Sequence, residues 1–463
     1  MVRNDIFILH MPKKFLEGSK QTKPMRNRMA DFAKSIESKL KPGAPWLYYS
    51  LRFVYRFFYP FASRAVFWSA YLYLSAEYLV LLVLNIGEIK NAEFICPRWF
   101  WNFGHQALEP HMLAMRFKGK KLLILLSDYG GYNPYIIDSM KSVVRIKTLK
   151  HSRLAAFLRR SFFDDRERGR LLKRKQKLAK SVNRISGGSA VITERFAEAP
   201  DQTVFWMKER MELIKNNQDM IVKPDTSARE KFKEIFERAF PEESKKWLVS
   251  LYLRKNRDDF RGTEPMAYRG AIERIIANGG AVLCGGDYDP HETFGNIKGL
   301  LGYSDFSCER ELCDFFFLTQ CKFLICTLSG PFTIAETFNV PVLVTNSALF
   351  SSFGRRENQH FLYKKFKRKG TGQILGASEL FSPPIADFTD ANEFINAGLE
   401  PIDNDSDEIL KAVEEMIVRY VELREIREDK ELIEKFKKLQ PENTGAKLSP
   451  AKPVMNYLEN IEW

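Results

Sequence analysis

Arg254, Asp287, Ser329 and Asn346 each stand at the end of a short apolar run, and a guanidinium, a carboxylate, a hydroxyl and an amide gathered there could bind a polar anionic ligand. The runs are 247–254, 281–287, 323–329 and 340–346, with helix-like spans at 265–278 and 332–338 and a further helix after Asp314. Short buried strands alternating with helices imply a parallel sheet of βαβ units, whose ligands sit beyond the carboxyl ends of the strands. The four residues are therefore expected to line one crevice.

The Ser329-Gly330-Pro331 junction has a definite physical use. With Gly330 as N-cap and Pro331 as the first helical residue, no side chain covers the first-turn amides, and proline gives up only an N–H that has no intrahelical acceptor. Such a helix start, positive at its tip, suits a diphosphate. Arg254 would add a planar fork of donors to the same oxygens. An ordinary strand-to-helix turn beside a surface arginine would use the same residue types, since neither element is specific alone.

The collinear order of these pieces resembles the bacterial GT-B glycosyltransferases of surface-polysaccharide gene clusters, a family distantly similar to heptosyltransferases and O-fucosyltransferases. The matching residues are Leu251 to Arg254, Arg261, Tyr268, Ala271-Ile272, Gly286-Asp287, Asp314, Cys321 to Phe323, Ser329-Gly330, Val340-Pro341 and Thr345-Asn346. Further matches are Asn102 to Pro110, Pro401 to Asn404, Glu408-Ile409 and Ala412-Val413, so that roughly residues 93 to 425 are covered. The family usually writes His two residues before the strand-end arginine, where this chain has Tyr252.

The resemblance implies an α/β chain of the GT-B fold, with two Rossmann-like domains facing a cleft. It implies a glycosyltransferase that moves a sugar from a nucleotide-activated donor to a glycan or lipid-linked glycan in surface polysaccharide synthesis. Arg254, Arg261, Gly286, Asp287, Ser329, Gly330, Glu336 and Asn346 would bind the donor, Glu336 by accepting hydrogen bonds from the ribose or sugar. Gly104 would let backbone approach a ligand, and His105 and Glu109, four apart on the following helix, are the candidate bases for the acceptor hydroxyl. Asp258 and Asp259 compete for that role, although a solvated loop explains them too, and His111 could lie on the outer face. The alternative from another class is a non-catalytic, membrane-tethered scaffold of a polysaccharide assembly complex. Retained donor-site residues favour the enzyme.

Two acidic triplets need weighing, because Asp-x-Asp binds metal–nucleotide complexes in the other large glycosyltransferase class. Asp287-Tyr288-Asp289 follows a strand, whereas Asp403-Asn404-Asp405 precedes the last long helix. The GT-B resemblance accounts for Gly286-Asp287 without metal and leaves Asp289 in a turn before Pro290. No metal or other cofactor is expected.

Composition and charge say where the chain works. Its 463 residues, 45% hydrophobic, can fill two cores of ordinary size, and six cysteines without a CxxC pair read as reduced thiols. The net charge of +14 is concentrated. Twelve Lys/Arg against three acids fall between Lys13 and Arg64, and thirteen against three between Lys150 and Arg184. Anionic lipid attracts such patches. Nucleic acid would as well, but no nucleic-acid motif accompanies them, and the first patch runs into the apolar, aromatic segment from Trp46 to Ile86. Ala65 to Ile86 is long enough to cross a bilayer with only Glu77 charged. Yet a single crossing would leave the basic flank inside and the rest of the chain outside, away from nucleotide sugars. A peripheral or re-entrant segment at the cytoplasmic face of the inner membrane is expected instead, and no cleavable signal is expected in the charged first forty residues.

The expected organisation is a basic and aromatic membrane-association region at 1–92, an N-terminal Rossmann-like acceptor domain at 93–233, and a C-terminal nucleotide-sugar domain at 245–399. A long charged helix follows at 400–440, and then a tail at 441–463 without periodicity. Strands of the first domain are expected at 93–96, 121–126, 143–146 and 190–193, with a basic helical insertion at 153–184.

Overall fold

The structure, a computed structural model, describes residues 65, 67–98, 103–128, 132–162, 165–186, 190–191, 211–213, 215–216, 219–255, 260–350, 354–388, 390–440, 447 and 449–463. The expectations for residues 1–64, Asn102, Asp258, Asp259 and 192–193 lie outside this set. The chain is α/β and divides into two compact units, one drawn from 1–99, 125–130 and 147–193, the other from 100–124, 131–146 and 194–463.

A four-stranded sheet has the order β3-β2-β1-β4, with β1 at Phe94–Arg98, β2 at Leu122–Asp128, β3 at Arg145–Lys150 and β4 at Ala190–Val191. β1 and β4 are parallel, Phe94 opposite Ala190 and Ile95 opposite Val191. In the first unit the helix Phe67–Leu84 buries Ala70, Leu74, Tyr78 and Leu82, one side chain per turn. The basic insertion forms two helices, Arg153–Phe162 and Asp165–Ser186.

The second unit is built on a seven-stranded sheet. Its strands are β5 (Trp247–Leu253), β6 (Gly280–Gly286), β7 (Leu300–Leu301), β8 (Phe323–Cys326), β9 (Val342–Ser347), β10 (Gln359–Tyr363) and, beyond an antiparallel pair of β11 (Lys365–Arg368) with β12 (Leu399–Ile402), β13 (Lys452–Pro453). The order is β13-β10-β9-β8-β5-β6-β7, every neighbouring pair parallel. β5, β6, β8 and β9 are mostly apolar and almost wholly buried, as strands covered on both faces must be. Tyr252 is opposite both Gly285 and Cys326, and Cys326 is opposite Val344, so β5 and β6 end level, β8 stops one residue earlier and β9 runs on to Ser347.

Two expectations fail near the C-terminus. The long charged helix is broken into Ser406–Tyr420 and Lys430–Leu439. The backbone turns left-handed at Leu423 (φ 55°), and Arg419 bridges Glu415 in the first helix to Glu428 in the connection. The tail is also structured. β13 extends the sheet beside β10, and the helix Met455–Asn460 buries Met455, Tyr457 and Leu458. A two-residue strand and a six-residue helix are too short to show a period.

His360 on β10 is 1% exposed and bonded to the Tyr420 hydroxyl at 2.8 Å. Burial, helped by the charges of Arg419 and Lys452, holds its pKa down to about 3. The folded ring therefore stays neutral while the unfolded chain takes up a proton below about pH 6.5. Stability should be intact above that pH and fall by up to about 1.4 kcal/mol per pH unit as pH drops toward 3. Urea midpoints across the acid range should show this limb, flattened in His360→Gln.

Candidate active site

At the carboxyl edge of the seven-stranded sheet, β8 ends at Cys326 and the chain turns through Ser329 into the helix Gly330–Thr337. The cap differs from the sequence expectation. Ser329 is the N-cap in extended backbone, Gly330 is the first helical residue and Pro331 the second. Ser329 donates its hydroxyl to the Thr327 carbonyl (2.9 Å) and makes no side-chain cap, so the first-turn amides remain uncapped by it. The consequence for an anion is the one expected.

What sequence alone did not reveal is the neighbour of that helix start. A Cβ added at Gly330 would lie 2.7 Å from the Gly104 nitrogen, and one added at Gly104 would lie 2.8 Å from the Gly330 Cα. The two backbones are in contact, which only glycine at both positions permits. Gly104 is itself the N-cap of the helix His105–Arg116. Two helix starts, each carrying about half a positive charge, thus meet at one point, and an anion there relieves their mutual repulsion. Asn133 fastens this arrangement. Its N–H donates to Gln106 (2.6 Å), its side-chain amide donates to the Glu311 carbonyl (2.7 Å), and it caps the helix Pro134–Met140.

Across the first turn of the 105–116 helix, His105 Nδ1 and Glu109 Oε1 are 2.8 Å apart, the side chains 24% and 11% exposed. A carboxylate fixing one ring nitrogen leaves the other to face a substrate, the pairing that a proton acceptor needs. His111 is not on the outer face: it is fully buried and bonded to the Met220 carbonyl.

Arg254 and Arg261, both half-buried, lie at the two ends of a loop between β5 and the segment beginning at Gly262. Thr263 N–H donates to the Arg254 carbonyl (3.4 Å), Lys364 donates to the Gly262 carbonyl (3.1 Å), and Asn346 donates to Thr263 Oγ1 (2.9 Å). Asn346 is therefore committed to the fold. Its amide also donates to Tyr268, its oxygen accepts from Asn404 N–H at 2.8 Å, and Tyr268 meets Thr345 at 2.6 Å. Tyr268, Thr345, Asn346 and Asn404, all among the residues that carry the resemblance, form one buried network supporting the arginine loop.

Gly286 ends β6 with φ 89° and is held from two sides. Its N–H donates to Tyr303 (3.0 Å) and Arg310 donates to its carbonyl (2.9 Å). Beneath the turn Tyr252 and Tyr303 both donate to Asp314, whose carboxyl burial pushes upward, and burial beside that acid raises both phenols. Tyr252 also explains Gly285, where a Cβ would lie 2.2 Å from the ring. Exposed Asp287 follows, accepting from Lys255 N–H at 3.3 Å and so tying its turn to the arginine strand end. Tyr303 and Arg310 were missed because neither sits in a motif.

Glu336 is fully buried in an ion pair with Arg355, itself 4% exposed. Arg355 was not foreseen, since a lone arginine in a loop carries no sequence signal. The acidic triplets are accounted for within the fold. Asp289 caps the helix Pro290–Phe294, and the Glu292 N–H, more than the other bonds to Asp289, lowers its pKa. Asp403 pairs with Lys364 at 2.5 Å, and Asp405 caps the 406–420 helix. Among the described residues no group of three or more His, Cys, Asp or Glu could hold a metal ion. Turnover is expected to persist in excess chelator, while Asp289→Ala should cost about 0.5–2 kcal/mol through the lost cap. Complete loss of activity restored by manganese or magnesium would instead make Asp287 and Asp289 ligands.

No family model matches the chain, and no curated protein does. Solved structures similar to it include a family 9 glycosyltransferase from Veillonella parvula, 8% identical over 71% of this chain and 98% of that one, with a TM-score of 0.44. The E. coli heptosyltransferase WaaC with ADP-2-deoxy-2-fluoro heptose is 11% identical over 60% of this chain and 94% of that one, TM-score 0.33. The UDP-GlcNAc 2-epimerase of Neisseria meningitidis bound to UDP-GlcNAc is 10% identical over 79% and 97%, TM-score 0.34. Glycosyltransferases of the heptosyltransferase kind are thus among the solved structures this chain is similar to.

Proposed function

We propose that this chain transfers a sugar from a nucleotide-activated donor to a glycan or lipid-linked glycan in surface polysaccharide synthesis, at the cytoplasmic face of the inner membrane. The observation that carries the reading is the backbone contact of Gly104 with Gly330, which sets two helix starts together next to the His105–Glu109 pair. In the reaction the acceptor hydroxyl oxygen bonds to the anomeric carbon as the bond from that carbon to the diphosphate breaks. The nucleoside diphosphate leaves with the electron pair, and the hydroxyl proton passes to His105 or Glu109. Arg254, Arg261 and the Ser329-Gly330 helix start stabilise the charge that grows on the leaving oxygens. Gly286 and Asp287 shape the neighbouring wall.

Titration calorimetry with nucleoside diphosphates tests the donor half of this reading. One base is expected to bind in preference to the others, and Gly330→Ala should abolish that binding because its Cβ collides with backbone. Absence of binding by every nucleoside diphosphate would remove the donor site.

A further inference from the structure

The helix Phe67–Leu84 has two apolar faces, and among the described residues only one is covered. Ala70 and Leu74 form a closed cluster with Ala155 and Leu171, against which Phe67, Tyr71 and Leu158 also lie. On the other face Trp68, Leu72, Val80, Val83 and Leu84 are 53–74% exposed. Leu154 and Phe157 on the adjoining 153–162 helix are exposed too, directly after the exposed Arg153. Glu77, the helix's single charge, points into protein, where it accepts from the His151 ring (2.7 Å) and the Ser152 N–H (2.9 Å). Lys175 reaches the same ring at 3.4 Å and lies 4.6 Å over Tyr78.

Eighteen residues at about 1.5 Å each could cross a hydrocarbon core. What is fastened to the buried side argues against crossing. Leu171 joins the Ala70–Leu74 cluster and, one turn later on both helices, Lys175 covers Tyr78, so the 165–186 helix runs alongside. That helix exposes Arg170, Lys173, Arg174, Lys177 and Lys180, which a crossing would drag into hydrocarbon. Lying in the plane, the apolar face enters the acyl boundary while the basic helix stays among headgroups. Thirteen Lys/Arg against three acids between Lys150 and Arg184 suit an anionic leaflet.

We infer that the exposed face of the 67–84 helix, with Leu154 and Phe157, is an in-plane docking surface for anionic lipid. This does not rest on the glycosyl-transfer reading. The full chain should float with phosphatidylglycerol-containing vesicles and much less with phosphatidylcholine alone, and alkaline carbonate should release it. The double variant Leu72→Glu/Val80→Glu, altering only exposed side chains, should weaken vesicle binding at least about tenfold with an unchanged unfolding midpoint. Ile395→Glu, equally exposed in the other unit, should change nothing. Unaltered binding by the double variant would overturn the assignment, as would retention of the chain after carbonate. Failure of the full chain to bind either vesicle would equally overturn it and assign the face to a protein occupant.

Discussion

Arg254→Ala is expected to lower kcat/KM for nucleotide-sugar turnover by about 10²- to 10³-fold, the effect of removing one positioned donor to a developing oxyanion. The fold should survive, because Arg254 lies just beyond β5, half-buried, and the loop it opens is held by backbone and by Lys364 and Asn346. Arg254→Lys should recover only part of the loss, since an ammonium keeps the charge without the planar fork. Steady-state kinetics beside a urea transition measures both. Full activity in Arg254→Ala would take this residue out of the mechanism.

Arg355→Met is expected to destabilise the second unit by about 3–5 kcal/mol, because it leaves the Glu336 carboxylate buried and without its cation. Glu336→Gln with Arg355→Met should restore most of that stability, since replacing both members of a buried pair is often close to neutral. Urea denaturation of the two single variants and the double completes the cycle. Glu336 stands on the helix that begins at Gly330, so loss of the pair should also raise KM for the donor. A single variant as stable as the parent would show that Glu336 does not depend on Arg355.

The four central strands β5, β6, β8 and β9 were legible because they are apolar enough to announce themselves, and their ends put Arg254, Asp287 and Ser329 at one edge, whereas β7, β10 and β13 were not read from the sequence. Backbone geometry was less legible. Moving the cap from Gly330 to Ser329 changes no residue type, and the contact of Gly104 with Gly330 joins glycines 226 positions apart that carry no mutual signal. Side chains that matched the family for structural reasons could not be separated from those that could meet a ligand. Asn346 and Tyr268 proved to be internal supports, whereas Arg254 and Arg261 bracket the loop they support. The 421–429 break escaped a reading based on charge because an apolar stripe and a run of Glu, Lys and Arg continue helical patterning through it.

The most direct measurement of the central claim is release of nucleoside diphosphate from a panel of nucleotide sugars, with and without membrane extract as acceptor. The account predicts that one donor is consumed, that acceptor accelerates its consumption, and that His105→Ala or Glu109→Gln lowers kcat while donor affinity stays close to that of the parent. If no donor in the panel is bound or turned over under any of these conditions, the chain is not a transferase, and the contact between Gly104 and Gly330 serves a binding scaffold alone.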